Sequence, residues 1–383
     1  MIDFELSEEQ QDIRKMARNF AEKEIIPVAG QYDEAEKLPW EIIQKAHAVG
    51  LMNLTIGDEY GGQGLDNVTA VLILEELGAA CLGVESTIAG NILALTPIQL
   101  GGTDEQKRSF ILPICSEPKL AAFALTEPNA GSDAAALTTT AVRRDDGYVL
   151  NGVKCFITNA GVASQYTVFA TVDRSRGAKG ITAFVVPAET PGLSIGKKEK
   201  KMGDRSSQVA EVILENVFVP EKNRIGKEGE GYRLALETLA ITRIHVASAA
   251  VGIARRAQEE AVKYAAARVQ FGKPIADFQA IQMMLADMRI GVETARLATW
   301  RAAWLADQGQ PSSLESAVAK CYAADVAMKT TVDAVQVFGG YGYTRDYPVE
   351  KLMRDAKITQ IYEGSNQIQR LVIARQMVKE IVG

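Results

Sequence analysis

Ile181-Thr182-Ala183-Phe184-Val185-Val186 is a run of β-branched and aromatic residues near the middle of the chain. Similar runs surround it, and glycine, proline, asparagine and aspartate separate them at short intervals. This composition and spacing are typical of antiparallel strands joined by turns. The segment from Pro118 to Ile225 is therefore predicted to form an antiparallel β-domain. The other runs are Tyr148-Val149-Leu150, Phe156-Ile157-Thr158, Tyr166-Thr167-Val168-Phe169-Ala170 and Val209 to Val219.

Helical periodicity flanks this β-rich segment on both sides. Before it, Ser7 and Gln10 match a capping box, and Ile13 and Phe20 follow on the same helical face. After it, apolar residues between Ile281 and Val292 recur at helical spacing, which indicates core packing or an oligomer interface. The predicted order is helices, then strands, then helices.

The length of the chain predicts more than one domain, because 383 residues exceed what one hydrophobic core usually supports. We predict an α+β fold with an N-terminal α-helical domain (1–117), a middle antiparallel β-domain (118–225) and a C-terminal helical domain (226–383). Hydrophobic residues make up 47% of the chain, enough for large cores without disulfides or metals.

Charge and motif content exclude several classes of function. The net charge of −6 argues against a nucleic-acid partner, since such proteins carry a basic face. The four cysteines have no short spacing, which favours free thiols in a reducing compartment. His47 and His245 lie far apart and outside any metal-binding motif, so no metal site is predicted. No GxGxxG or GxxxxGK[ST] motif is present, so a phosphate-bearing cofactor needs another kind of site.

The sequence also predicts a location. The N-terminal residues lack the basic and apolar regions of a signal peptide. No stretch approaches ~18 uninterrupted apolar residues, so we expect no membrane span. A cytoplasmic protein is predicted.

Two segments are candidates for chemistry. In the segment from Ala124 to Asp133, the backbone N–H groups of Gly131 and Ser132 are able to approach a phosphate, as in an anion-binding nest; a plain turn with a helix cap is the alternative. Glu363 lies between Tyr362 and Gly364, and a glutamate in such a context is usually an exposed surface charge. If buried, its apolar neighbours would desolvate it and raise its pKa, as a catalytic base requires.

Read together and in order, these and other segments resemble the acyl-CoA dehydrogenase family over nearly the whole chain, most closely its medium-chain branch. Each segment alone is weak evidence, but six in the family's order are strong. They are Leu125-Thr126-Glu127-Pro128 with Ala130-Gly131-Ser132-Asp133, Phe156-Ile157-Thr158-Asn159, Lys201-Met202-Gly203, Arg268-Val269-Gln270-Phe271-Gly272-Lys273, Gln336-Val337-Phe338-Gly339-Gly340-Tyr341-Gly342, and Met353-Arg354-Asp355-Ala356-Lys357 with Tyr362-Glu363-Gly364.

The resemblance implies a β-barrel-like middle domain, a C-terminal four-helix bundle and an FAD bound between them. It also implies a homotetramer, a dimer of dimers, in which a neighbouring subunit completes each FAD site. The matching FAD positions within one subunit are Phe123, Leu125, Thr126, Gly131, Ser132, Phe156, Ile157, Thr158, Ser365 and Gln367. A second set of residues matches positions in the loops that reach the FAD of the partner subunit, or lies beside such positions. This set is Arg268, Phe271, Phe278, Gln279, Gln336, Val337, Gly339 and Gly340.

The resemblance further assigns Glu363 as the catalytic base. Some branches of the family carry the base at the position of Thr242, which cannot serve as one. The positions that match contacts to the acyl-CoA are Ser132, Ala240, Arg243 and Gly364.

Two alanines depart from the medium-chain pattern. Ala240 stands where that branch has an acid near CoA, which puts this contact in doubt. Ala89 occupies a position at the floor of the acyl pocket where that branch has glutamate, so the chain length of the substrate cannot be inherited.

The implied function is FAD-dependent α,β-dehydrogenation of an acyl-CoA thioester to a trans-2-enoyl-CoA. Glu363 takes the α-proton, flavin N5 accepts the β-hydride, and the electrons pass to an electron-transfer flavoprotein. Two alternatives remain open at this point: an acyl-CoA oxidase of the same fold, and a non-catalytic acyl-CoA-binding scaffold.

Overall fold

A computed structural model describes residues 5–310 and 313–383, and it confirms the α+β fold with helical, β and helical domains in that order. Helices give way to strands between Cys115 and Ala121, and strands give way to helices between Ile225 and Gly231. We propose that the domain boundaries at 117/118 and 225/226 lie in these two connections.

The N-terminal domain begins with the predicted capping box. The Ser7 hydroxyl accepts a hydrogen bond from the Gln10 N–H at 3.1 Å, and the Gln10 side chain accepts one from the Ser7 N–H at 3.2 Å. Pro27 lies in the first turn of a helix, where its missing N–H costs no intrahelical bond. The helices are α1 (Glu8–Phe20), continued by a π-helical turn (Ala21–Ile25), α2 (Ile26–Ala35), α3 (Trp40–Ala48), α4 (Asn67–Ala80), α5 (Leu82–Gly101), α6 (Asp104–Phe110) and α7 (Leu112–Cys115).

Periodicity does not reveal α5, because this helix has no solvent-facing stripe. From Leu82 to Ile98 every residue is buried except Ala89 and Leu93, and Pro97 lies inside the helix. A helix that is apolar on all sides belongs to a protein core and gives no amphipathic signal.

The middle domain is one eight-stranded sheet with the order β6-β7-β3-β2-β4-β5-β8 and β1 paired to β4. Most pairings are antiparallel, as predicted, whereas β1 and β2 each run parallel to β4. The strands are β1 (Ala121–Ala124), β2 (Thr140–Arg144), β3 (Gly147–Thr158), β4 (Gln165–Thr171), β5 (Ile181–Pro187), β6 (Leu193–Lys198), β7 (Val209–Pro220) and β8 (Arg224–Ile225).

The C-terminal domain is built around a long central helix, whose buried positions are mostly alanine and other small residues that allow close packing of its neighbours. By length and apolarity alone this helix is able to span a membrane, but 72% of its most apolar window is buried inside the protein, as in the core helix of a soluble protein. The helices are α8 (Gly231–Ala267), α9 (Gln279–Asp307), α10 (Ser313–Phe338), α11 (Val349–Thr359) and α12 (Asn366–Val382), and a short hairpin of β9 (Val269–Gln270) and β10 (Lys273–Pro274) follows α8.

A buried ionic network joins the two helical domains. Arg255 of α8 bonds Glu75 at 3.0 Å and Glu76 at 2.6 Å, and Arg296 of α9 bonds Glu75 at 2.9 Å. Arg18 of α1 bonds Glu76 at 2.9 Å. Because each buried carboxylate has several guanidinium partners, the network fixes α1, α4, α8 and α9 relative to one another.

Candidate active site

Glu363 lies in the connection between α11 and α12, in an unusual backbone conformation. Its φ is +51°, in the left-handed region that non-glycine residues rarely adopt, and Gly364 follows at +92°. Side chains from two other helices hold this peptide. Arg243 of α8 donates to the Glu363 carbonyl at 3.1 Å, and Lys320 of α10 donates to the Gly364 carbonyl at 2.8 Å. Gln369 of α12 donates to the Gly364 carbonyl at 2.9 Å. The strain is thus held by the surrounding fold, which is characteristic of functional sites.

The Glu363 carboxyl group has one close polar partner. The Thr242 hydroxyl of α8 donates a hydrogen bond to Glu363 Oε2 at 2.6 Å. Burial raises the pKa of Glu363 above its usual range, while the Thr242 hydrogen bond and the charges of Arg243 and Lys320 oppose that shift. Within the described ranges no basic side chain forms an ion pair with this carboxylate. The group is therefore a half-buried carboxylate with a raised pKa and no ion-pair partner among the described residues.

Two buried cations supply the local positive potential. Burial lowers the pKa of Lys320 to about 8, against the opposing charge of Glu363. Burial also lowers the pKa of Arg243, which stays charged because a guanidinium keeps its proton at any physiological pH. Both cations face main-chain carbonyls of the Glu363 turn, so they position this turn and leave the carboxylate oxygens of Glu363 available.

A second buried group of contacts aligns the two segments predicted to contact FAD. Lys154 of β3 is fully buried and donates to the Leu125 carbonyl at 3.0 Å and to the Glu127 carboxylate at 2.8 Å. The Cys155 N–H donates to the Thr126 carbonyl at 3.0 Å. Burial alone would raise the pKa of Glu127, but Lys154 and three hydrogen bonds from Thr138 and Thr139 hold it at about 2.

The predicted FAD-contacting side chains differ in exposure. Phe156 has a left-handed backbone (φ +57°), and its side chain is 65% exposed. Thr126 and Thr158 are partly exposed, and Gly131 and Ser132 are exposed, with no heavy atom within 4 Å of where a Gly131 Cβ would lie. Leu125 and Ile157 are buried, so we propose that they approach the cofactor through their backbone. Phe123 is half-buried and packs on Phe169 at 4.9 Å between ring centroids.

The positions predicted to serve the partner's FAD form a third group, around the ends of α8 and α10. A cavity of about 530 Å³ is lined by residues that include Arg268, Val337, Gly339, Gly340 and Tyr341. The guanidinium of Arg268 lies 5.6 Å from the centre of the Tyr341 ring. The remaining members are exposed or partly exposed: Phe271, Phe278, Gln279 and Gln336.

Ser365 and Gln367 lie at the start of α12. The Ser365 hydroxyl caps this helix by accepting from the Ile368 N–H at 3.4 Å, and Gln367 is exposed in the first turn. The N-terminal end of a helix favours anions, so this position suits a phosphate.

The structure brings three of the sequence-predicted catalytic and substrate residues, Glu363, Arg243 and Gly364, into direct contact. Ala240 lies on α8 two residues before Thr242, and Ser132 lies in the loop after β1. Sequence reasoning missed the hydrogen bond of Thr242 to the base and the role of Lys320. For Lys320 the sequence does contain a signal, because a lysine lies among small apolar residues in Val318-Ala319-Lys320-Cys321.

Comparison with known proteins agrees with this architecture. The N-terminal, middle and C-terminal domain models of acyl-CoA dehydrogenase match residues 7–118, 122–217 and 229–378. The chain belongs to the acyl-CoA dehydrogenase family, and it is an oxidoreductase. A short-chain-specific acyl-CoA dehydrogenase of Clostridium acetobutylicum is 45% identical, covering 99% of this chain and 100% of that protein.

Solved structures are equally similar. One chain in a solved structure of the electron transferring flavoprotein of Acidaminococcus fermentans is 48% identical to this protein, with a TM-score of 0.97. The match covers 99% of this chain and 100% of that chain. Butyryl-CoA dehydrogenase from Megasphaera elsdenii has 44% identity and a TM-score of 0.96, covering 98% and 100%. PigA in its FAD complex has 31% identity and a TM-score of 0.95, covering 100% of both chains.

Proposed function

We propose that this protein catalyses the α,β-dehydrogenation of an acyl-CoA thioester to a trans-2-enoyl-CoA, with Glu363 as the base. The observation that carries the proposal is the state of the Glu363 carboxyl group. It is half-buried with a raised pKa, it has no ion-pair partner in the described part of the chain, and its peptide is held in a strained conformation by three helices. Its raised pKa improves the match to the weakly acidic α-proton of a thioester.

The residues of this chain fit FAD, the cofactor of the family. The exposed Phe156 ring offers an aromatic wall, the open backbone at Gly131 allows close approach, and Arg268 offers a cation beside a cavity. Thr126 and Thr158 each present a hydroxyl on the partly exposed surface between these groups. When bound, FAD supplies the acceptor for the hydride that leaves the β-carbon.

The chain's own part in the reaction is to bind, orient and deprotonate the thioester. Glu363 removes the α-proton, and Thr242 and the clamped peptide hold its carboxylate in place. Among the described residues the Glu363 N–H has no hydrogen-bond acceptor. That N–H is available to donate to the thioester carbonyl, where negative charge develops as the proton leaves.

We also propose that an electron-transfer flavoprotein receives the electrons, supported by the 48% identical chain from a structure of such a flavoprotein. A homotetramer in the cytoplasm is proposed with it. The exposed positions around the Arg268 cavity support an interface at which a second subunit completes the FAD site.

The decisive experiment is anaerobic stopped-flow reduction of the FAD-loaded enzyme by butyryl-CoA and hexanoyl-CoA. Glu363→Gln keeps the shape of the side chain and removes the base, so flavin reduction should slow by at least about 10²-fold. Glu380→Gln, at an exposed position near the end of α12, is the matched control and should behave as wild type.

FAD content and acyl-CoA binding should be unchanged in Glu363→Gln. Near wild-type flavin reduction in that variant would remove Glu363 as the base. Rapid reoxidation of the reduced enzyme by air would instead favour an oxidase, and a protein purified without FAD would favour a scaffold.

A further inference from the structure

Glu85 of α5 is a buried acid with no partner. Glu85 is only 2% exposed, yet its carboxyl group forms no hydrogen bond or ion pair with any residue the structure describes. Buried carboxyl groups are nearly always paired, because an unsatisfied polar group in a core is costly. The dehydrogenation as proposed gives Glu85 no task.

Glu85 shares one face of α5 with two partly exposed residues. Residues four apart lie on one face of a helix, and Glu85, Ala89 and Leu93 follow that spacing. Ala89 and Leu93 are the two residues between Leu82 and Ile98 that are partly exposed. This face is therefore accessible at Leu93 and Ala89 and buried at Glu85, one turn before Ala89.

The helix α5 adjoins a segment predicted to contact the cofactor. The Thr87 carbonyl of α5 accepts from Asn159 at 3.1 Å, and a Cβ on Gly90 would lie 3.4 Å from Thr158 Cγ2. Glu85 itself interacts electrostatically with Glu363 and with the Tyr362 hydroxyl. Glu85 is thus within electrostatic range of the carboxylate proposed to take the α-proton.

The charges that act on Glu85 are all acidic. Burial and the carboxylates of Asp204 and Glu363 raise its pKa well above its ordinary value, and no basic group opposes them. Asp204 is itself held by Lys201 at 3.1 Å. The raised pKa favours the protonated form of Glu85, which presents an O–H donor that has no acceptor among the described residues.

The chemistry of an unmatched donor defines what would satisfy it. A plain alkyl end leaves the O–H unpaired, at the cost of a lost hydrogen bond. An anionic end would bring a further negative charge to Glu85, on which the carboxylates of Asp204 and Glu363 already act, and this is unfavourable in a desolvated pocket. An uncharged oxygen, as in a ketone, alcohol or ether, accepts the hydrogen bond without adding charge.

We propose that Glu85 forms a polar inner end of the acyl cavity and donates a hydrogen bond to an uncharged oxygen on the distal part of the acyl chain. Oxygen-bearing acyl-CoA thioesters are then the preferred substrate class. The proposal rests on the proposed function, since it places the acyl group between Glu363 and Glu85.

The test uses the FAD-loaded enzyme and pairs of thioesters of equal length. 4-Oxopentanoyl-, 5-oxohexanoyl- and 6-oxoheptanoyl-CoA are each compared with the unsubstituted acyl-CoA by kcat/KM for flavin reduction. For at least one length the oxo substrate should be favoured about tenfold, the upper range for one neutral hydrogen bond. Glutaryl-CoA, which matches 5-oxohexanoyl-CoA in shape but ends in an anion, should be the poorer of those two.

Two variants separate the hydrogen bond from a structural role. Glu85→Met removes the donor at similar length and should bring the oxo-to-alkyl ratio close to one while alkyl thioesters still react. Glu85→Gln keeps a donor and should retain the preference. A thermal midpoint of Glu85→Met at or above wild type is expected, because an unpaired polar group has been replaced by an apolar one.

The outcomes are distinguishable. If alkyl thioesters reduce the flavin but no oxo substrate is favoured in wild type, the inference about Glu85 is wrong and the dehydrogenase assignment stands. The inference is also wrong if Glu85→Met keeps the wild-type ratio, or if glutaryl-CoA is the better substrate. If no thioester reduces the flavin, the proposed function fails first and the inference falls with it.

Discussion

At the scale of single residues, this site depends on side chains that act on Glu363 without reacting. Thr242, Arg243 and Lys320 each touch the Glu363 turn, and each comes from a helix that the turn does not belong to. By resemblance, Thr242 stands where other branches of the family place the base, and its hydroxyl donates to Glu363, the base proposed for this chain. The position on α8 is the same in the two branches, but one branch has an acidic side chain there and this chain has the hydroxyl of Thr242.

Thr242→Val should raise the pKa of Glu363. The hydroxyl donates to the ionised carboxylate and so favours the charged form; its removal disfavours that form. Because the base acts when deprotonated, the acidic limb of the pH profile for flavin reduction should move to higher pH. Thr242→Ser keeps the hydroxyl and should restore the wild-type profile. A profile that stays in place in Thr242→Val would show that this contact does not tune the base.

His245 makes a second residue-scale prediction, on stability. In the part of the chain that the structure describes, neither ring nitrogen has a hydrogen-bond partner, and burial lowers the pKa of His245 to about 4 from 6.5. The unfolded chain therefore takes up the proton first, so stability is full above about pH 6.5 and falls as the pH drops towards 4. The loss amounts to about 3 kcal/mol. His245→Phe should flatten the pH dependence of the urea midpoint in this window, and an unchanged slope would contradict it.

At the scale of elements, a buried ion pair holds the loop after β1, which is predicted to face FAD, against β3. Lys154 reaches both the Leu125 carbonyl and Glu127, and Glu127 in turn binds Thr138 and Thr139 at the far end of the loop. The pair sits between two segments predicted to contact the flavin. Its burial means that the two strands cannot shift relative to each other without exposing a charge to a dry interior.

Lys154→Met should leave the buried Glu127 without its cation. A loss of about 3–5 kcal/mol in the free energy of unfolding is expected, together with weaker FAD retention. The double variant Lys154→Met with Glu127→Gln removes the uncompensated charge and should recover part of that stability. Chemical denaturation and FAD release on dilution measure the two effects. Equal stability of wild type and Lys154→Met would show that the pair is not structural.

At the scale of the whole molecule, exposed apolar side chains mark surfaces that one chain leaves uncovered. Phe271 is 95% exposed, and Met283 and Ile290 of α9 are 67% and 63% exposed. Near the C-terminus, Ile381 and Val382 of α12 are 78% and 80% exposed. Met283 and Ile290 are seven residues apart and so lie on one face of α9, and an exposed apolar face of this kind often belongs to an interface. These surfaces support the homotetramer proposed above.

Sedimentation velocity should give a mass four times the 41.4 kDa of the chain. Ile290→Glu places a charge on the exposed face of α9 and should dissociate the assembly and lower FAD content together. Val142→Glu, on the exposed face of β2, is the control and should leave both unchanged. A monomer that retains one FAD per chain would contradict the shared site.

How much of this could be predicted from the sequence depended on the range of the interaction. The capping box of α1 lies within four residues, and it was predicted and found. The runs predicted as strands from local composition lie in β3, β4, β5 and β7, whereas β1, β2, β6 and β8 were not predicted. The helix α5 was not visible to periodicity, because burial on every side removes the contrast between its faces. The resemblance to a family supplied Glu363, but the pattern of residues around it did not.

The contacts around the base were beyond sequence reasoning for a physical reason. Thr242 and Glu363 are 121 residues apart, and they meet because α8 packs beside the connection between α11 and α12. Glu85 reads as an ordinary charge in the chain, and packing alone makes it a buried acid without a partner. Local order follows from neighbouring residues, whereas desolvation and hydrogen bonding across the core arise only when distant helices come together.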